Sequence, residues 1–263
     1  MSHTTRRTRP TLLARALGLA FGLVFGLTLA MAGPARAAAA HDYQPDYQRI
    51  EAASWQADVA TLGAVSAELN ALAGDGAEAA LAAAYADYRL ANAGLADAKR
   101  NDAAIGAALE RARLRLEGLA GRAEPQQAEA LAMLAGVYGL QISRSPLKGP
   151  LLGVKANQAI AEALRLAPEQ PRVRLFAGIS RLYTPALFGG DRALALADFD
   201  SVVAHLPRAE ASAANWGLND ALLWRAVALK ADGRRDEARA SVQQVLDAAP
   251  QHGWAKRLLA GLR

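Results

Sequence analysis

The residues most open to chemistry are three histidines beyond position 37, His41, His205 and His252. None has a second ligand at helical spacing, so no metal site is expected. His205 falls in the last turn of an expected helix, where a cation suits the dipole, and it reads as a cap. Asp198 and Asp200 flank Phe199. At i and i+2 on a helix they diverge, so they do not form a catalytic pair and read as a solvated face. Arg111, Arg113 and Arg115, beside Glu110 and Glu117, spread around one helix as solubilising charge. The chain has no HExxH, no GxSxG, no P-loop and no Rossmann glycine fingerprint. It has no cysteine, which excludes disulfides, thiolate metal sites and a cysteine nucleophile. No catalytic, metal or cofactor residue is therefore assigned, and the chain reads as a non-enzyme.

Three aromatics stand apart. Tyr183, Phe188 and Trp216 sit at the edges of loops rather than on a helix's apolar stripe. Tyr and Trp suit half-wet positions, so Tyr183 and Trp216 read as a rim that contacts a ligand. Phe188, before Gly189-Gly190, reads as a plug under its own loop, and Trp224, inside a helix, as core.

The elements that must position these residues are helical. Of the 263 residues 52% are apolar and only 6% aromatic, and Ala and Leu dominate, which favours helix. Helices are expected at about 54–73, 77–95, 101–121, 127–142, 151–166, 171–183, 191–205, 217–231, 235–248 and 251–262. The breaks fall at Gly121, Pro125, Pro146, Gly149-Pro150, Pro168, Pro171, Pro185, Gly189-Gly190, Pro207, Gly233 and Pro250. No segment alternates with period two, so no sheet is expected.

The formal charge of +5 resides in the N-terminal 37 residues, which hold five arginines and no acid. The remainder balances, so no nucleic-acid footprint is left. Residues 1–37 have the order of a secretory signal: a basic start, an apolar run from Ala16 to Ala32, a Gly33-Pro34 break and Ala35-Arg36-Ala37. Cleavage after Ala37 and a periplasmic or secreted product are expected. The alternative is an uncleaved anchor, since the run nears spanning length. Residues 38–53 read as a flexible lead-in, and 54–125 as an N-terminal helical cap or degenerate repeat.

From 126 to 263 a pattern recurs. Gly190, Ala195, Phe199 and Pro207 repeat the spacing of Gly233, Ala238, Val242 and Pro250, and Ala156, Ile160 and Pro168 keep its last two intervals. Ala135, Gly178 and Ala226 are the small residues of the preceding helices. These residues resemble the tetratricopeptide repeat (TPR). Arg225 departs from the pattern where leucine is usual, and the excess length falls in loops 143–151, 184–190 and 208–217. The stretch ending in LFGGDRALALADF is broadly similar to bacterial-envelope TPR proteins, including periplasmic partners of TRAP-type transporters. The resemblance implies an all-α, right-handed solenoid of antiparallel helix pairs with a C-terminal capping helix. Its inner wall is lined by the first helix of each unit, at Ala132, Gly136, Leu140, Leu175, Ile179, Leu182, Leu223, Val227 and Lys230. Arg172 and Arg181 could orient a carboxylate there.

The expected function is a non-catalytic envelope scaffold that binds a protein segment or a small ligand. A transporter accessory for a small organic acid, or an enzyme with a solenoid body, are the alternatives. The partner is an unidentified envelope protein or small ligand, not nucleic acid. The membrane is touched only through an uncleaved signal, and the wall is either open or filled by the chain itself.

Overall fold

A computed structural model describes residues 41–206 and 216–262, and its regular structure there is entirely helical. The helices are α1 Gln44–Gln56, α2 Val59–Leu72, α3 Ala77–Ala96, α4 Asp102–Ala120, α5 Gln127–Arg144 and α6 Gly149–Leu166. They continue as α7 Pro171–Tyr183, α8 Arg192–His205, α9 Leu218–Ala231, α10 Arg235–Ala248 and α11 Gly253–Ala260. From α3 onward each matches its expected range within two residues at either end. The segment 1–37, with the Ala35–Ala37 cleavage pattern, lies outside the described residues. So do positions 207–215 of the loop before Trp216.

The start of the described chain differs from expectation. The stretch 38–53 is expected as a flexible lead-in, yet α1 begins at Gln44 and buries Tyr47, Ile50 and Ala53. Pro45 falls in the first turn, where a missing N–H costs nothing, so it starts this helix rather than blocking it. The single helix expected over 54–73 is two. Ala57 takes a left-handed φ of 53° at the end of α1, and Asp58 caps α2 by accepting from the Thr61 backbone N–H at 3.0 Å.

Consecutive helices pair as hairpins, α3 with α4, α5 with α6, α7 with α8 and α9 with α10. The first members also touch one another, α3 to α5 to α7 to α9, giving a repeat-like arrangement. The described helices belong to one compact unit. Small residues set the spacing. A Cβ on Gly178 of α7 would lie 2.5 Å from the Phe199 ring of α8, and one on Gly136 of α5 would lie 2.6 Å from the Phe176 ring of α7. Ala195, Ala226 and Ala238 are fully buried beside Phe199 and Val242. Adding bulk at such contacts costs about 1–3 kcal/mol. At Gly190 a Cβ would fall 1.7 Å from the Thr184 carbonyl, so the loop 184–190 closes only with glycine there. The α3 helix touches α1, α2, α4 and α5, and its alanines let all four approach.

Asp198, expected on a solvated face, is interior, and two of the arginines expected as solubilising charge, Arg111 and Arg115, cover a buried carboxylate. Asp198 is 1% exposed and binds Arg174 at 3.0 Å and Arg181. Asp87 of α3 is fully buried under Arg111 at 2.6 Å and Arg115 at 3.0 Å. Arg113 alone keeps the expected exposed pairing, to Glu110 and Glu117. Arg225, the departure from the repeat pattern, bonds Asp200 of α8 and Ser241 of α10, each at 2.5 Å.

Candidate functional site

Four helices turn a matching stripe toward one cleft of about 320 Å³. Tyr85, Tyr88, Arg89 and Asn92 come from α3, and Phe176, Ile179 and Tyr183 from α7. Asp220, Trp224 and Val227 come from α9, and Trp254 and Arg257 from α11. Within each helix the steps are mostly three or four residues, so the side chains share a face. Ser54 of α1 and His252, the residue that caps α11, also line it. The first and last helices meet here. The Trp55 and His252 rings stack at 6.0 Å, and α1 packs on α11.

The floor is aromatic. Trp216 is 3% exposed and stacks on Tyr85 with ring centres 4.0 Å apart, and Phe176 meets it edge-on at 6.5 Å. The Arg172 guanidinium lies 4.5 Å from the Trp216 ring and donates to Glu129 at 2.9 Å. One wall is an edge-to-face ladder, Tyr183 on Trp224 at 5.4 Å and Trp224 on Trp254 at 4.8 Å. Stacked and edge-on pairs of this kind are worth roughly 0.5–1.5 kcal/mol beyond area burial.

Beneath the floor lies a buried charge network. Arg89 donates to Asp220 at 2.7 Å and to the Ser54 hydroxyl at 3.0 Å, and stands 3.7 Å from Glu51. Tyr85 donates its hydroxyl proton to Glu51. One guanidinium thus serves two carboxylates. Burial pushes the Glu51 carboxyl above its usual range, with Arg89 opposing. Burial also lowers His252 to about 4, which leaves it neutral at physiological pH. Its Nδ1 accepts the Ala255 backbone N–H at 3.5 Å.

No protein-family model matches the chain, and no curated protein sequence is similar to it. Among solved structures the chain is similar to the HusA haemophore from Porphyromonas gingivalis. The match has a TM-score of 0.51 and 25% sequence identity, and covers 72% of this chain and 92% of that one. That neighbour is, by its name, a haem carrier. Among the described residues, no helix is long and apolar enough to cross a membrane, and no group of three or more His, Asp or Glu could hold a metal ion.

The sites expected from sequence divide. Leu175, Ile179, Tyr183, Trp216 and Val227 all line the cleft. Tyr183 is 64% exposed, as a rim residue would be, but Trp216 is the floor. Arg172 lies against Trp216 and bonds Glu129. Arg181 pairs with Asp198 and borders a second, shallower groove between α6 and α7. Leu223 is wholly buried and Leu182 packs against the core. On α5, Ala132 is buried, Gly136 lies under Phe176 and Tyr88, and Leu140 packs on the core. Lys230 is exposed on α9. Phe188 is 65% exposed and borders the second groove, so it is not a plug. Trp224 is cleft wall rather than core.

The residues that sequence reasoning missed are Tyr85, Tyr88 and Arg89 on α3, and His252, Trp254 and Arg257 at the C-terminal end. The signal was present on α3, where three large side chains at i, i+3 and i+4 interrupt a run of alanines.

Proposed function

We propose that this chain is a non-catalytic, envelope-located carrier that holds a flat, largely apolar ring ligand of the haem class in the cleft between α3, α7, α9 and α11. The observation that carries the reading is the open aromatic slot. A wall of Tyr183, Trp224 and Trp254 offers accessible aromatic surface to one space, above a floor in which Trp216 is packed on the buried Tyr85. Such surfaces suit a planar ligand, and pockets of a few hundred Å³ are of ligand size. The likeness to a haemophore supports the ligand class. Binding rather than catalysis is supported by the ionic groups under the floor, which are committed to one another. The hairpins from residue 126 onward are read as TPR-like repeats in a right-handed solenoid. That reading is supported by Phe199 seated on Gly178 and by the buried Ala195, Ala226 and Ala238. Residues 1–37 are read as an export signal, which agrees with an envelope carrier.

Titration of haemin into the purified chain, monitored by tryptophan quenching and the Soret band, tests the reading. Saturable one-to-one binding is expected. A Tyr183→Ala/Trp224→Ala variant, with unchanged circular dichroism, should bind roughly tenfold or more weakly, about 1.4 kcal/mol. A wild-type chain that shows only linear, unsaturable uptake overturns the proposal.

A further inference from the structure

Charge in the cleft is arranged with a direction. At the floor, Arg89 is shared between Asp220 and Glu51, so no positive charge is left over there for a ligand. An anionic group sent to that depth would meet two carboxylates for one guanidinium, all three largely buried, where screening by water is weak. The mouth is the reverse. Arg257 on α11 is exposed and lines the cleft, and no carboxylate pairs with it among the described residues. Its position is defined by the seam between α1 and α11. A Cβ on Gly253 would lie 3.4 Å from Arg257 Nη1 and 3.3 Å from the Trp55 carbonyl of α1. The guanidinium therefore stands close to the α1–α11 junction, at the end of the Tyr183–Trp224–Trp254 ladder. His252, its near neighbour in the lining, carries no competing negative charge.

We infer that Arg257 is the carboxylate anchor of this cleft. It would fix an acid-bearing planar ligand with its apolar edge on the Tyr85–Trp216 floor and its acid edge outward on α11. The inference rests on the ring-binding reading above and adds the ligand's polarity and the residue that selects it. A guanidinium at such a mouth presents a fork that matches a carboxylate, whereas an ammonium offers only a point charge. The contact is partly exposed, so it weakens as salt rises.

The test uses two probes, protoporphyrin IX and its dimethyl ester, which share a ring and differ only in free acids. Each is titrated by tryptophan quenching, in the same detergent-containing buffer, into the wild-type chain and into Arg257→Gln and Arg257→Lys variants. The wild-type chain should bind the diacid more tightly than the ester. Arg257→Gln should lower diacid affinity by roughly tenfold while leaving ester affinity unchanged, and Arg257→Lys should recover part of the loss. A purely structural role for Arg257 would weaken both probes together, and that result overturns the inference. Equal binding of both probes by all three proteins overturns it as well, while leaving the ring-binding reading standing. Failure of the wild-type chain to bind either probe overturns both.

Discussion

Two groups of buried carboxylates among the described residues are neutralised in opposite ways. Asp87 and Asp198 each sit under two arginines. Asp87 also accepts from the Ser66 hydroxyl at 2.7 Å. Arg111 is 41% exposed and Arg115 22%, so each can reach water. Glu51 and Asp220 instead share a single Arg89, itself only 9% exposed. The first arrangement ties neighbouring helices together, α3 to α4 and α7 to α8. The second lies under the cleft, where α1, α3 and α9 converge. Surplus cation with access to solvent is a lock; surplus anion without it makes a floor that repels acids.

That contrast can be broken most sharply at Arg89. Arg89→Met leaves two carboxylates buried without a counter-charge, and a loss of about 3–5 kcal/mol at pH 7 is expected. The loss should shrink at pH 4.5 as Glu51, whose carboxyl burial already raises, takes up a proton. Urea unfolding at both pH values measures it, and equal stability of variant and wild type at pH 7 would show that the floor is not short of cation.

His252 sharpens the picture from the side of the cleft. Its native pKa of about 4 lies below the ordinary 6.5, so the unfolded chain takes up the proton first. The neutral ring's contribution is complete above pH 6.5 and is lost as pH falls toward 4, by about 2–3 kcal/mol. Asn also caps helices well, so His252→Asn should keep α11 and flatten this acid limb. Matching limbs for the two proteins would assign the acid loss to other groups.

The smallest effect is expected where the carboxylate is best served. Asp87→Asn removes one charge and leaves two arginines that can turn to solvent, so about 1–2 kcal/mol should go. A loss for Asp87→Asn larger than that for Arg89→Met would reverse the ranking of the two networks.

The helices are legible in the sequence because their punctuation is local. Gly, Pro, Asp191 and Asn101 mark ends by backbone geometry and capping, which act within a turn. Pro45 misleads because proline starts a helix or stops one according to the residues on its C-terminal side. Part of the cleft is legible too: Leu175, Ile179 and Val227 come from repeat register, and Tyr183 from its place at a loop edge. The other part is not. Arg89 and Asp220 are 131 residues apart in sequence, and Trp55 finds His252 only when α1 meets α11. Asp198 reads as solvated in the sequence because an i, i+2 rule says where a side chain points, not what covers it.

The meeting of α1 with α11 has a consequence in time. Each hairpin is a local structure that can form as soon as its own residues are present. The slot has no such independence, since its floor network spans α1 to α9 and its outer wall is the last helix. Contacts so distant in sequence form late. A chain still being made therefore has no complete slot until residue 257 is free, and a ligand that needs all of its walls can enter only a finished fold.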